Sequence, residues 1–448
     1  MNPLFALALL FSAGTVLAGE SDLPRSLEQM SRAFQDGQEA VPVPPPPPAP
    51  PGAPAGVQGD FYRTITTLSS EIMEGRAPKS KGSRLAREYI IARMQAYGLE
   101  PGGEEAGFVQ AVHKKIFGYT IGNNVVGYIR GRVKPDECVY VDAHYDHWGR
   151  AGGKLQPGAN DNASGVAVML ETARRLSQDR PDRTVVFLAA DNEEGALLPM
   201  LGGLKGASYQ ARHPFCARDR IKGSVVLDTV GGAFVPGLRP QLLLIGSESS
   251  PGTYGLARGL AERADSAPPI RQLGVYAIEP LGTWAPRADY AAYREIGVPF
   301  IFATSGLPAE YHSESDTIEK IDFGFMEQAG SAILDLVSGM ASARFEGGAA
   351  ENDETVDWER EAASVERIIG DVLELRDPPA DKSSYLKTLA AERDRLRAVS
   401  GSARQNKDGV KKAVRKAVVT IMQMNGSLKL WEHVYRTYGV PDDEPAAK

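Results

Sequence analysis

Four short apolar runs, separated by helical patterns, constrain the fold of this chain more than any other feature of its sequence. The runs cover residues 138–143, 184–190, 223–227 and 298–303. Between the first two, SGVAVMLETARRL places apolar side chains at helical spacing. Alternation of strand and helix predicts an α/β fold in which helices cover the faces of a central sheet.

The regions outside this pattern have a different composition. Residues 1–18 contain a short apolar core from Leu4 to Phe11, followed by VLA as a cleavage site that ends at Ala18. This pattern predicts a signal peptide and export to the periplasm or the extracellular space. Residues 19–56 are a short polar segment followed by VPVPPPPPAPPGAP, which predicts an extended linker. The main domain is expected over residues 57–345. Residues 346–448 are charged and helical in pattern, and we expect a separate C-terminal appendage that the chemistry does not need.

The charge and cysteine content exclude several classes of protein. The 448 residues carry a formal net charge of −7, which argues against nucleic acid or an anionic membrane as the main partner. After the first 18 residues, no apolar stretch is long enough to span a bilayer. Two cysteines, Cys138 and Cys216, form no disulfide framework. Export would permit a disulfide, but Cys138 lies in a predicted buried strand, and we expect buried free thiols.

Acidic or imidazole side chains follow each predicted strand. The first run ends in AHYDHWG, the second in AADNEEG and the third in VVLDTVGG, and EYHSESDT follows the fourth. GANDNASG supplies a further aspartate just before the predicted helix. Since sites in open α/β sheets form at the carboxyl ends of strands, we expect these side chains to gather at one edge. Taken singly, each motif also fits an ordinary turn, helix cap or solvated helix start.

A sheet edge that collects histidines and several carboxylates indicates a metal site. Without metal, so many carboxylates would repel one another and raise each other's pKa values. Imidazole and carboxylate without thiolate suit Zn²⁺ or a relative such as Mn²⁺ or Co²⁺. Three carboxylates and a bridging hydroxide would balance two divalent ions. The expected ligands are His144, Asp161, Glu194, Asp228 and His312.

The ordered motifs AHYDHWG, GANDNASG, NEEG, LDTVGG and EYHSESDT resemble the co-catalytic zinc aminopeptidases of the M28 metallopeptidase family. The similarity extends upstream to LSSEIMEGRAPKSKGSRLAREYIIARMQAYGLEP and downstream to DYAAYREIGVPFIFATSG, and covers about residues 60–342. It implies a mixed, mostly parallel central sheet flanked by helices. It also implies two divalent metal ions, zinc in the first instance.

The resemblance assigns the expected ligands to two metal positions. Asp161 would bridge both ions. His144 and Asp228 would complete one position, and Glu194 and His312 would complete the other.

The neighbours of these ligands also take roles from the resemblance. Glu193 would act as the general base, and Asp146 would orient the imidazole of His144. His147 is expected to be a bystander at the rim, because five ligands already complete the set. The family often has Ser-Asp-His where this chain has Ala288-Asp289-Tyr290, and residues 196–202 follow NEEG where the cleft should lie. Both departures concern substrate specificity rather than metal binding.

Together these features predict a metal-dependent exopeptidase, with an aminopeptidase acting on peptide or protein N termini as the first choice. A glutaminyl-cyclase-like enzyme with one zinc on the same fold is the nearest alternative. A metal-stabilised binding module that engages a partner through its C-terminal helices is another, although the unligated Glu193 argues against it. Trp284 and Tyr276 are candidates for the pocket walls or for the core, and the sequence names no partner for the C-terminal helices.

Overall fold

The computed structural model describes residues 55–113, 119–194, 203–263, 268–279, 288–347, 356–375, 383–403 and 405–424. The predicted signal peptide, nearly all of the linker, residues 196–202 and Trp284 lie outside these ranges and stay predictions. Among the described helices, none combines the length and the apolar character that crossing a bilayer requires.

The described residues contain eleven strands. They are β1 (Glu100–Pro101), β2 (Val109–His113), β3 (Thr120–Ile129), β4 (Lys134–His144), β5 (Arg150–Ala151), β6 (Lys154–Leu155), β7 (Arg183–Ala190), β8 (Ile221–Leu227), β9 (Leu242–Ile245), β10 (Ile270–Leu273) and β11 (Phe300–Thr304). Nine of them form one sheet in the order β1-β3-β7-β4-β8-β11-β9-β10, with β2 paired to β3, while β5 and β6 form a separate ribbon.

Ten α-helices are found in the same parts of the chain. They are α1 (Gly56–Leu68), α2 (Lys81–Ala96), α3 (Gly165–Gln178), α4 (Lys205–Arg212), α5 (Pro251–Ala261), α6 (Tyr290–Glu295), α7 (Phe323–Ala341), α8 (Trp358–Leu373), α9 (Ser383–Ser400) and α10 (Lys407–Met424). Local sequence fixes where several of them begin. Ser250 and Thr253 form a reciprocal capping box at the start of α5, and Asp322 caps α7 by accepting the N–H of Phe325.

The four predicted strands are confirmed as β4, β7, β8 and β11, and they lie side by side. β4 is parallel to β7 and to β8, and β8 is parallel to β11, so all four carboxyl ends reach the same edge. β7 is buried along its whole length, which explains its unbroken apolar run. The outer pairs β1–β3, β2–β3, β3–β7 and β9–β11 are antiparallel, so the sheet is mixed, as predicted.

The C-terminal region is helical, as predicted, but it is not a separate appendage. Trp358 and Ile369 of α8 and Val414 of α10 belong to the same buried cluster as Ile245 of β9 and Leu273 of β10. Charged residues on the outward faces of these helices dominate the sequence and conceal an apolar inner face. That face covers the β9–β10 end of the sheet, and the helices complete the core of the main domain.

Tyr276 lies at this junction and does not line a substrate pocket. β10 runs antiparallel to β4, through the β9–β11 pairing, so the residues after β10 lie away from the edge where β4 ends. The Tyr276 ring is 5.5 Å from that of Trp358, and its hydroxyl donates to Glu361 at 3.0 Å.

The expectation of free thiols is wrong, because Cys138 and Cys216 form a disulfide. The bond joins β4 to the loop after α4, with the Cα atoms 6.4 Å apart across 78 residues of sequence. Both residues are buried in the main cluster, as expected for Cys138. The sequence could not reveal the pairing, because it depends on how the loop after α4 returns to β4.

Candidate metal centre

The carboxyl ends of β4, β7 and β8 deliver the predicted site residues to one place. Asp161 lies in the irregular turn Ala159–Ser164 before α3, and its two carboxylate oxygens face different groups. Oδ1 lies 3.4 Å from Nε2 of His144, whereas Oδ2 lies 3.1 Å from Nε2 of His312. Asp161 therefore stands between two clusters.

One further carboxylate completes each cluster. Oδ1 of Asp228 lies 3.4 Å from Nε2 of His144, and Oε2 of Glu194 lies 3.0 Å from Nε2 of His312. The five predicted ligands thus come together in the two expected sets. Four of them are buried, whereas the His312 side chain is 27 % exposed, so the second cluster is the more open one.

The arrangement of the oxygen and nitrogen atoms suits binding of a divalent metal ion better than hydrogen bonding among the side chains. Oδ2 of Asp161 and Nε2 of His312 are close, yet neither has a hydrogen-bond partner. Oδ1 of Asp228 also lacks one, although the imidazole of His144 is 3.4 Å away. Ligands about 2.0–2.2 Å from a tetrahedral zinc ion are separated by roughly 3.3–3.5 Å, which resembles the spacings found here. The imidazole and carboxylate donors also suit zinc chemically.

His147 does not lie at the rim, where the sequence placed it. Its side chain is fully buried, and Nδ1 lies 2.8 Å from Oε1 of Glu194 and 3.7 Å from Oδ2 of Asp161. Nε2 has no hydrogen-bond partner. The imidazole is therefore a second histidine for the cluster that contains His312, whose ring centre is 5.9 Å away. Sequence reasoning set it aside because five ligands already formed a complete set.

Hydrogen bonds to neighbouring segments fix the turn that carries Asp161. The carboxylate of Asp316 accepts the N–H groups of Asn160 and Asp161 at 2.8 and 2.9 Å. The Asn162 side chain donates to the carbonyl of Leu227 at 2.9 Å, which joins the turn to the end of β8. These contacts hold Asp161 in a defined position relative to Asp228.

Arg76 also supports this turn, by donating hydrogen bonds to backbone carbonyls beside it. The sequence had not indicated this role of Arg76. Its guanidinium is fully buried and donates, at 2.6 to 2.9 Å, to four backbone carbonyls, those of Leu68, Tyr145, Pro157 and Gly158. Burial lowers the pKa of Arg76 to about 10, which Asp161 opposes, so the group is charged at neutral pH. The only signal was its place in EGRAP, within the upstream segment of the resemblance.

Asp146 acts on the site through two different parts of the residue. Its carboxylate accepts the N–H of Glu193 at 3.0 Å and that of Glu194 at 3.3 Å. Nδ1 of His144 lies 3.3 Å from the backbone carbonyl of Asp146 and 3.8 Å from its carboxylate. The main chain therefore orients the imidazole, while the side chain positions the two glutamates.

The electrostatics of this edge favour bound positive charge. Burial lowers the pKa of His312, but the Glu194 carboxylate beside it raises that pKa to about 10. Burial likewise opposes protonation of His144, yet Asp228 holds its pKa well above the ordinary value. Metal ions compete with protons for such groups, so the same carboxylates that retain the protons can retain metal.

The pKa of Glu193 is displaced in the direction that a general base requires. Burial raises it well above the ordinary value, with Glu194 adding to the shift and His144 opposing it. A carboxylate with a raised pKa is a stronger base once ionised, which suits a group that takes a proton from water.

Three further buried carboxylates, Asp142, Asp191 and Asp289, surround the site, and the sequence assigned none of them a role. Burial raises the pKa of Asp142 to about 7 and that of Asp191 to about 6. Asp142 accepts the hydroxyl of Tyr293 at 3.0 Å, whereas neither oxygen of Asp289 has a hydrogen-bond partner. An acidic residue inside the apolar run VYVDA was the available signal for Asp142.

Paired imidazole and carboxylate clusters that share one aspartate, at the carboxyl edge of a mixed α/β sheet, define a metallopeptidase. Residues 124–337 match Peptidase family M28. The resemblance drawn from the sequence is thereby confirmed, and zinc is the metal that its relatives imply.

Three known proteins illustrate the similarity. A probable zinc metalloprotease of Pyrenophora tritici-repentis is 26% identical over 383 residues, which cover 72% of this chain and 77% of that protein. Aminopeptidase YwaD of Bacillus subtilis is 28% identical over 229 residues, covering 49% of this chain and 45% of that one. The crystal structure of Porphyromonas gingivalis glutaminyl cyclase superimposes with a TM-score of 0.50 at 18% identity, covering 62% of this chain and 97% of the cyclase. The last comparison concerns the fold alone.

Proposed function

We propose that this protein is an aminopeptidase that uses two divalent metal ions, zinc in the first instance, to hydrolyse peptides from their N termini. The two oxygens of Asp161, which face different histidines, carry this proposal. A single-metal enzyme would need only one of the two clusters. The cluster of His144 and Asp228 is the more buried of the two, and it also presents an acceptor, Oδ1 of Asp228, without a hydrogen-bond partner.

The protein side chains have distinct tasks in this reaction. Bound ions would supply Lewis acidity, which polarises a peptide carbonyl and lowers the pKa of water. Glu193 takes the proton from the attacking water and delivers it to the leaving amine. Asp146 holds the main chain of Glu193 in place, and burial raises the pKa of the glutamate, which strengthens it as a base.

Export of the protein is part of the same proposal. The first 18 residues have the pattern of a signal peptide, and a disulfide joins Cys138 to Cys216. Disulfides persist in oxidising compartments such as the periplasm and the extracellular space. A peptidase in either place would meet peptides and protein N termini from the surroundings.

Paired variants of the adjacent glutamates test the assignment of base and ligand. We expect Glu193→Gln to reduce kcat by about 10²–10⁴-fold while metal content stays unchanged, because a base is lost and no ligand is. Glu194→Gln is the matched control and should lower metal content. Elemental analysis and peptide hydrolysis on the same samples give both readouts. Loss of metal in Glu193→Gln together with full metal in Glu194→Gln would exchange the two roles.

A glutaminyl cyclase remains the second candidate, because a cyclase shares the fold. We expect two ions per chain, hydrolysis of peptides with a free N terminus, and a much slower reaction once that terminus is acetylated. His144→Ala should bring the metal content toward one ion per chain. One ion in the wild type, with cyclisation of N-terminal glutamine and no hydrolysis, would decide for the cyclase.

A further inference from the structure

A cavity of about 300 Å³ lies where the first C-terminal helix packs against the main domain. Its walls come from the end of α5, from β10 and from the first half of α8. β10 is three strands away from β8, which carries Asp228 at its end, so this cavity is separate from the metal centre. Its charged lining consists of Glu262, Arg271, Arg360 and Arg367.

The three guanidinium groups have fewer acceptors than they can use. Arg360 pairs with Glu262 at 2.5 Å, and Arg271 lies 3.4 Å from Asp371. The Nε–H groups of both arginines are buried and have no hydrogen-bond partner. Buried donors without acceptors are costly, so these two groups favour an additional acceptor nearby.

Arg367 is the arginine that lacks a carboxylate partner among the described residues. Its guanidinium donates to the Ser364 hydroxyl at 3.4 Å, which is long for a hydrogen bond. The neighbouring Glu366 pairs instead with Arg397 at 2.6 Å. Arg367 is an exposed residue, yet partial burial lowers its pKa, and repulsion from Arg271 and then Arg360 lowers it further. Glu366 and Asp371 oppose these shifts.

The described lining therefore has an excess of positive charge. Three guanidinium groups face the two carboxylates of Glu262 and Asp371. The guanidiniums come from β10, the first turn of α8 and the middle of α8, so they approach the cavity from different directions. A carboxylate offers two oxygens to such an arrangement, whereas a phosphate group offers up to four and carries more charge.

We propose that this cavity binds a phosphate group, either as free phosphate or as a small phosphate ester, between β10 and α8. The volume lies at the lower end of ligand-binding pockets, which suits a small anion with little attached to it. Bound there, the anion relieves the repulsion among Arg271, Arg360 and Arg367. It also links the C-terminal helices to the main domain, so binding strengthens their docking.

Titration calorimetry and thermal unfolding of the full-length, metal-loaded protein test this site. Inorganic phosphate and glycerol 3-phosphate are the probes, with chloride at matched ionic strength as the reference. Arg367→Gln removes the least-partnered guanidinium. Arg263→Gln is the matched control, since that arginine is likewise exposed, lies nearby and pairs with Asp335 outside the cavity.

We expect phosphate to raise the Tm of the wild type and of Arg263→Gln, and to bind Arg367→Gln about tenfold or more weakly. Tighter binding of the ester than of phosphate would identify an ester as the ligand, and the reverse would identify the free anion. Equal affinity for phosphate in the wild type and in Arg367→Gln would overturn the proposal, as would the absence of binding to the wild type. Peptide hydrolysis by Arg367→Gln should match the wild type, so this test does not depend on the proposed enzymatic function.

Discussion

Two charged regions of the molecule are built on opposite principles. At the carboxyl edge of the sheet, carboxylates outnumber the groups that could neutralise them, and several acceptor atoms have no hydrogen-bond partner. At the junction of β10 with α8, guanidiniums are in excess and Nε–H donors lack acceptors. Burial makes each imbalance costly, so each region favours a counter-ion of opposite sign.

The two regions differ in what supports them. The candidate metal centre is held by hydrogen bonds that the Asp316 carboxylate accepts and that Asn162 and Arg76 donate, and these residues lie in loops and turns around it. The junction is held by apolar burial, since helices α8–α10 cover the end of the sheet. Changes at the edge should therefore affect chemistry more than folding, and changes at the junction should do the opposite.

Removing the C-terminal helices should produce the largest effect on folding. A chain ending at residue 347 would expose Leu243, Ile245 and Leu273, each worth about 1.5–3 kcal/mol of burial. Their sum is comparable to the whole stability of an ordinary domain, about 5–15 kcal/mol. We expect this chain to lose its cooperative thermal transition and to aggregate.

Calorimetry and size-exclusion chromatography would show this loss directly. A truncated chain that melts cooperatively and binds its full complement of metal would restore the view, taken from the sequence, that the helices are a dispensable appendage.

Asp161→Asn should abolish the chemistry while leaving the fold intact. The asparagine side chain has nearly the same size and shape as the aspartate, but it lacks the negative charge that both clusters share. We expect metal content to fall and peptide hydrolysis to drop by more than roughly a hundredfold, since even residues behind a ligand are worth 10–100-fold. The thermal transition of the metal-free form should stay cooperative. Activity close to that of the wild type would show that the two clusters do not share this carboxylate.

Arg76→Lys tests whether a change at the carboxyl edge of the sheet can affect metal binding without affecting the stability of the fold. Lysine keeps the positive charge but cannot reach four carbonyls spread around the guanidinium, and unsatisfied buried acceptors cost about 1–3 kcal/mol each. We expect the free energy of unfolding to fall by roughly 2–4 kcal/mol, with weaker metal binding, in urea titrations. Arg63→Lys, at an exposed surface pair with Asp60, is the control and should change little.

The smallest expected effect is a change in the free energy of unfolding caused by Glu361, and this change depends on pH. Burial raises the pKa of this carboxyl from 4.5 to about 7, although the N–H of Gly274 opposes the shift. The folded state thus binds the proton more tightly than the unfolded chain, so this group makes the protein less stable as pH rises from about 4.5 to about 7. The change is on the order of 1–3 kcal/mol.

Glu361→Gln removes this titration while keeping an oxygen that can accept from Gly274 and Tyr276. The variant should be more stable than the wild type at pH 7.5, and the advantage should shrink at pH 5. Urea unfolding of both proteins at the two pH values measures the difference. An advantage that is the same at both pH values would remove Glu361 as its source.

The central strands of the fold and the five clustered residues could be predicted from the sequence, because their signals lie in short continuous stretches of the chain. Strand runs such as TVVFLAA are wholly buried and therefore unambiguous, and each site residue follows a strand end or precedes a helix. Contacts between segments that are distant in the chain produce no comparable pattern in the sequence. The Cys138–Cys216 bond, the burial of His147 and the carbonyl contacts of Arg76 all depend on tertiary proximity. The C-terminal helices were misjudged because charge on one face of α8 conceals the apolar face opposite it.

The shared core has a consequence for the order in which the protein can fold during synthesis. The β9–β10 end of the sheet is covered by helices that are encoded in the last hundred residues of the chain. Ribosomes add about 5–20 residues per second, so these strands wait for seconds with their apolar face uncovered. The segments that carry the candidate metal ligands emerge long before those helices do. The finished domain can therefore form only after translation of α10, and a ribosome that stalls before that point leaves a chain prone to aggregation.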